Sequence, residues 1–244
     1  MSDTAAAPLE GRVAVVTGGS RGIGCAAAGQ LARLGATVVV VGRTEAAGGA
    51  AADRLVDAGL DAVGVGCDVS DLAAVAALPQ RLGPLGAADI LVCAAGVMSA
   101  ATAKTLRGPD DEWRRVLGVN LDGTYAAIRA FTPGMVERRW GRVIAVSACL
   151  GRFTGPGTAG GLAPYRVSKA AVNALIKNLA AELGQGARGV YADAVCPGHC
   201  RTDMGGPNAP RSAEEGADTI AWLAAGGAGD RTGLLWEDRT VVPW

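Results

Sequence analysis

With 244 residues and 50% hydrophobic side chains, the chain reads as one globular domain that buries about 70% of the surface of its unfolded form. Lys and Arg number 23 against 23 Asp and Glu, and no basic run occurs, so nothing in the charge offers a footprint for nucleic acid. No stretch reaches the roughly eighteen apolar residues of a membrane span, Met1–Glu10 carries no leader pattern, and Cys25, Cys67, Cys93, Cys149, Cys196 and Cys200 stand singly. Those features are expected of a cytoplasmic protein with reduced thiols.

Val13–Thr17 is an apolar, β-branched run expected as the first strand, and Thr17-Gly18-Gly19-Ser20-Arg21-Gly22-Ile23-Gly24 follows it directly, opening a helix through Leu34. Glycines at 18, 22 and 24 allow a sharp turn and a close approach to a pyrophosphate at the helix's positive end. The spacing GxxxGxG is a variant of the dinucleotide fingerprint, and no GK[ST] follows to make a P-loop. The second strand, Thr37–Val41, runs into Gly42 and Arg43 about 20 residues past the glycines, where dinucleotide folds read the adenosine ribose. An acid here would accept from a free 2′-hydroxyl, whereas Arg43 is a donor suited to a 2′-phosphate. Arg21 adds a second cation, so NADP(H) is the expected cofactor; the alternative is that either arginine is simply solvated.

Further strands are expected at Val63–Val65, Ile90–Cys93, Val143–Ser147 and Val190–Val195, alternating with helices that begin near Glu45, Ser70, Asp110, Pro164 and Ser212. This alternation predicts an α/β fold, a parallel sheet with helices on both faces. Gly151–Gly161 is too rich in Gly and Pro for helix or central strand and reads as a loop. In the helix after it, Tyr165 and Lys169 are four apart and share a face. Bringing a phenol's pKa near 7 takes roughly 4 kcal/mol of phenolate stabilisation, part of which an adjacent ammonium can supply. On an anonymous helix the same spacing is also compatible with a purely structural pair.

Taken together, TGGSRGIG at 17–24, Asp68-Val69, Ala95-Gly96, Asn120 in VNLDGTY, YRVSK at 165–169, and Pro197-Gly198 with Thr202 resemble the short-chain dehydrogenases/reductases, in particular bacterial carbonyl-reductase-like members, over essentially the whole chain. The resemblance implies a single Rossmann-like, doubly wound sheet of about seven strands over residues 1–244, a nicotinamide cofactor, and a homodimer or homotetramer. It makes Tyr165 the proton donor or acceptor, has Lys169 lower the Tyr165 pKa and hold the ribose, and has Asn120 anchor a relay water. Gly18, Ser20, Arg21, Gly22, Ile23, Gly24, Arg43, Asp68, Val69, Ala95, Gly96, Pro197, Gly198 and Thr202 would line the cofactor.

Three departures stand out. The serine that polarises the substrate oxygen in this family falls at Ala148, with Ser147 one residue early. Ser147 can replace it only if the chain bulges by one residue, which is the expectation here, with His199 as second candidate. Asn-Asn-Ala-Gly is Cys93-Ala94-Ala95-Gly96. His199 and Cys200 stand where relatives carry an apolar pair, and both are expected to line the substrate pocket. Cys196, His199 and Cys200 lack a fourth ligand and the geometry for a metal. The expected activity is NADP(H)-dependent interconversion of a ketone or aldehyde and an alcohol. Alternatives are non-redox acid/base chemistry (cyclisation, isomerisation or dehydration) and an NADP-binding protein without turnover.

Overall fold

The computed structural model describes residues 6–244. Its strands are β1 (Val13–Thr17), β2 (Thr37–Gly42), β3 (Ala62–Gly66), β4 (Ile90–Cys93), β5 (Gly141–Val146), β6 (Val190–Val195), β7 (Leu235–Glu237) and β8 (Thr240–Val242). They form one eight-stranded sheet in the order β3-β2-β1-β4-β5-β6-β7-β8. All neighbours run parallel except β8, which returns from β7 as a hairpin. The helices are α1 (Gly22–Arg33), α2 (Glu45–Asp57), α3 (Leu72–Arg81), α4 (Asp110–Leu117), α5 (Gly123–Arg138), α6 (Ala163–Glu182) and α7 (Ala213–Ala224). The doubly wound Rossmann-like fold is as expected, with β7 and β8, three residues each, too short to stand out in the sequence.

Successive residues of each strand face opposite layers. Val15, Leu91 and Val143 pack with Leu78 of α3, Phe131 of α5 and Ile176 of α6, whereas Val16, Ile90 and Ile144 pack with Leu31 of α1, Leu55 of α2 and Ile220 of α7. That double burial explains why β1, β2 and β4 are nearly continuous apolar runs. Local chemistry starts several helices: Asp71 caps α3 through the amides of Ala73 and Ala74, and Ser212 and Glu215 form a reciprocal capping box on α7. Between α4 and α5 the helix widens into one π-turn, Gly118–Asp122, which carries Asn120. Among the described residues, no helix is long and apolar enough to cross a membrane.

From β1 the chain winds outward through β2 and β3, then returns to the other side at β4. The strand order reverses between β1 and β4, so a crevice opens at their carboxyl ends, where such folds bind ligands.

Candidate active site

The glycine turn sits in that crevice. Gly18 has φ 67°, and a Cβ there would lie 2.6 Å from the Ala95 backbone, so the ends of β1 and β4 touch without side chains between them. A Cβ on Gly24 would lie 2.3 Å from the Gly18 carbonyl, which fixes how closely α1 follows the turn. Whereas α2, α3 and α7 are capped by Thr44, Asp71 and Ser212, α1 has no side-chain cap and no acid in its first turn. The open amides of Gly22–Gly24, with Gly18 and Ser20 in the turn, therefore fit a pyrophosphate.

Past the end of β2, Arg43 is exposed and helps hold the Asp68 carboxyl below its ordinary range, after the larger effect of hydrogen bonds from Ser70 Oγ at 2.7 Å and Ser70 N at 2.9 Å. Arg21 is paired with Asp203 at 2.9 Å, both side chains mostly exposed. Arg54, on α2, reaches the Ser20 carbonyl at 3.4 Å and so joins the same corner, which its position in the sequence did not reveal. Val69 is buried against Gly123, where both its side chain and its carbonyl would lie 2.9 Å from a Cβ. Thr202 lies over Gly22, 3.2 Å from where a Cβ would stand, and its hydroxyl accepts from the Gly205 amide at 3.1 Å.

The structure brings Tyr165, Lys169 and Asn120 together. Lys169 is buried, donates Nζ to the Val146 carbonyl at 2.7 Å and lies 5.8 Å from the Tyr165 ring centre. Asn120 is fully buried; its Oδ1 accepts from Val97 N at 2.8 Å and its Nδ2 donates to Val97 O at 3.0 Å and Ser168 Oγ at 2.9 Å. Ser168 in turn donates to the Tyr165 carbonyl at 2.7 Å, locking the start of α6 to the π-turn. A Cβ built on Gly96 would be 3.5 Å from Asn120 Oδ1 and 3.6 Å from Lys169 Nζ, so this glycine leaves a gap that both polar groups border. Burial lowers the Lys169 pKa to about 8 and raises that of Tyr165, with the Cys149 and Cys196 thiols adding to the rise. The Lys169 ammonium, expected to lower the phenol pKa, is not among the causes of the Tyr165 shift, and its Nζ is turned toward Val146. Cys93, beside Lys169, is pushed up to about 12 by burial and stays a thiol.

The expected bulge at Ser147 does not occur. Its amide donates to the Val195 carbonyl at 2.8 Å, continuing the β5–β6 ladder, and Ala148 remains extended at φ −159°, ψ 152°. Neighbouring side chains therefore point to opposite faces. Ala148 meets Tyr165 and Val116, while the Ser147 hydroxyl lies buried 2.5 Å from Asn173 Oδ1. Turning it toward a substrate would strip a buried acceptor of its partner, at about 1–3 kcal/mol. His199 is exposed, and its Nε2 donates to the Gly205 carbonyl at 2.8 Å, within its own loop. Cys200 does not line the pocket as expected: it is 3% exposed, bonded to the Pro197 carbonyl at 3.2 Å and pressed against Gly216 of α7. Pro197 is buried beneath the site, and Gly198, at φ 74°, turns the chain out of β6.

The groups missed in the sequence are Ser168, Asn173 and Arg54. Ser168 lay inside YRVSK and Asn173 stood four residues past Lys169, one helical turn along the same face; the partners of both come from distant segments.

The pattern of the family described as short chain dehydrogenase matches residues 12–213. The chain is 36% identical over 241 residues to 3-oxoacyl-[acyl-carrier-protein] reductase FabG of Pseudomonas aeruginosa, covering 92% of this chain and 94% of that protein. Against acetoacetyl-CoA reductase of Synechocystis it is 38% identical over 201 residues, 80% of this chain and 75% of that one. A 3-oxoacyl-[acyl-carrier protein] reductase from Brucella melitensis superposes with TM-score 0.84 at 32% identity, covering 95% of this chain and 91% of that chain. A putative NAD(P)-dependent gluconate 5-dehydrogenase from Beutenbergia cavernae, solved with bound NADP, gives TM-score 0.83 at 31% identity, covering 96% of this chain and 97% of that chain.

Proposed function

Starting from the chain's membership of the short-chain dehydrogenase family, and hence its standing as an oxidoreductase of that type, we propose that it reduces a small-molecule ketone or aldehyde to an alcohol with NADPH, and catalyses the reverse. The observation that carries this reading is the convergence of Tyr165, Lys169 and Asn120 beside an uncapped helix N-terminus at the β1/β4 crevice. When bound, the nicotinamide cofactor supplies the hydride. The chain's own task is the proton and the orientation of the carbonyl. Burial keeps the Tyr165 phenol protonated at neutral pH, so its Oη holds a proton to give to a carbonyl oxygen. Lys169 Nζ, which borders the gap at Gly96 with Asn120 Oδ1, can return that proton through a water whose O–H the Asn120 oxygen accepts. Arg43, Arg21 and Arg54 favour a 2′-phosphate, and the names of the two reductase relatives support a substrate with a carbonyl on a carbon chain. Trp113, Tyr125 and Val167, exposed on α4, α5 and α6, supply apolar surface for a homo-oligomer.

Following NADPH absorbance with a panel of ketones, beside separate NADPH and NADH titrations, tests the proposal. Oxidation of NADPH coupled to alcohol formation is expected; product formed without cofactor turnover would instead establish non-redox acid/base chemistry at Tyr165. One observation favours that second reading: the hydroxyl next to Ala148, that of Ser147, is turned away to Asn173.

A further inference from the structure

The segment between β5 and α6 is tethered at its start, where Arg152 pairs with Glu237 at 3.4 Å and the Phe153 amide donates to the Trp244 carbonyl at 3.2 Å, but from Phe153 to Gly160 every residue except Gly157 is exposed. It carries glycine at 155, 157, 160 and 161, and Phe153, its largest side chain, is 78% exposed. A stretch so poor in apolar contacts must be ordered through its backbone polar groups. One side chain meets several of them. Arg166, the residue after Tyr165, donates Nε to the Gly161 carbonyl at 2.9 Å, and its Nη1 faces the carbonyls of Pro156 at 3.0 Å, Gly157 at 3.3 Å and Leu150 at 3.5 Å. The segment folds back so tightly that a Cβ on Gly157 would lie 1.6 Å from the Arg152 carbonyl, which gathers these acceptors around one guanidinium.

The bond to Gly161 also bears on the next residue. Leu162 adopts φ 52°, ψ 38°, a left-handed conformation unfavourable for a residue with a Cβ. It brings Leu162 into the cluster of Tyr165, Ala148 and Val116, beside Leu150, Val97 and Met98. The phenol therefore faces an apolar wall, two of whose members, Leu150 and Leu162, belong to backbone that Arg166 engages directly or through the adjoining peptide.

We propose that Arg166 is a positioning residue for substrate specificity: it fixes segment 150–162 as an apolar wall beside Tyr165, so that the site selects carbonyl compounds whose chain next to the carbonyl is apolar. This rests on the carbonyl-reduction reading. Lysine cannot replace the planar fork, because a single ammonium does not span the same set of carbonyls.

Hydrogen exchange of the 150–162 amides and steady-state kinetics with 2-heptanone and dihydroxyacetone as probe ketones test the proposal in wild type, R166K and R166A. Wild type should prefer 2-heptanone. R166A should exchange at least about tenfold faster across 150–162 while β1 and β4 amides stay unchanged. Its KM for 2-heptanone should rise about tenfold, with kcat and NADPH affinity within about twofold, and R166K should fall between. Unchanged exchange, or faster exchange without loss of the 2-heptanone preference, overturns the proposal. If R166A does not fold, R166K decides on the same readouts. A wild-type protein that reduces no ketone defeats the carbonyl reading instead, and the exchange data alone then decide whether Arg166 orders the wall.

Discussion

The hydroxyl of Ser147 lies 2.5 Å from Oδ1 of Asn173, on the face of β5 opposite the one where Ala148 meets Tyr165. The position that would polarise a substrate oxygen is thus a methyl group, and the hydroxyl beside it holds β5 to α6. Ser147→Ala should lower stability by about 1–3 kcal/mol by orphaning the Asn173 acceptor, with turnover changed less than about threefold. Ala148→Ser should raise kcat/KM for a ketone about tenfold or more, since one preorganised donor typically contributes about 10²–10³ in rate. Thermal melts and initial rates check both. A large loss of turnover in Ser147→Ala would show that the hydroxyl leaves Asn173 during the reaction.

Cofactor choice should depend on Arg43. A charge-assisted contact to a 2′-phosphate contributes about 1.5–3 kcal/mol, so Arg43→Ala should weaken NADPH about ten- to a hundredfold and leave NADH nearly unchanged. Fluorescence titration of each cofactor measures this. Equal loss for both cofactors would place Arg43 on a part of the ligand they share.

Tyr165→Phe should abolish reduction while NADPH binding persists, because the ring still packs against Ala148 and Val116 when the hydroxyl is gone. Lys169→Ala should damage both, because it removes the Nζ that bonds Val146 and borders the Gly96 gap. Retention of most activity by Tyr165→Phe would mean that the proton comes from another group.

Far from the site, Asp193 on β6 accepts from Trp236 Nε1 at 3.0 Å and the Leu234 amide at 3.1 Å, and burial pushes its pKa up to about 6. A carboxyl with a raised folded-state pKa favours the native state most when protonated, and that contribution is lost as pH rises from the unfolded value, near 4, through about 6. Relative to Asp193→Asn, the wild type should therefore lose about 2 kcal/mol of stability between pH 4 and 7. Urea melts across that range measure the difference, and a pH-independent gap between the two proteins would contradict it.

Much of this was legible in residue order alone. The βα alternation, the glycine turn and the Tyr165–Lys169 spacing are local patterns: apolar runs of strand length, close backbone approach, and one turn of helix. Each depends on residues within a few positions of one another, so the fold class and the place of the crevice follow from the sequence. The orientation of Ser147 does not, because it is set by the Val195 ladder bond and by Asn173, 26 residues away. Cys200 shares its sequence neighbourhood with His199, but packing against α7 buries one and leaves the other exposed. Arg166 reads as a surface cation until the chain folds back and brings the carbonyls of Leu150, Pro156, Gly157 and Gly161 around it. Sequence determined which chemistry this chain could carry; which hydroxyls and cations face the reacting carbonyl was decided by strand register and by partners brought together only in three dimensions.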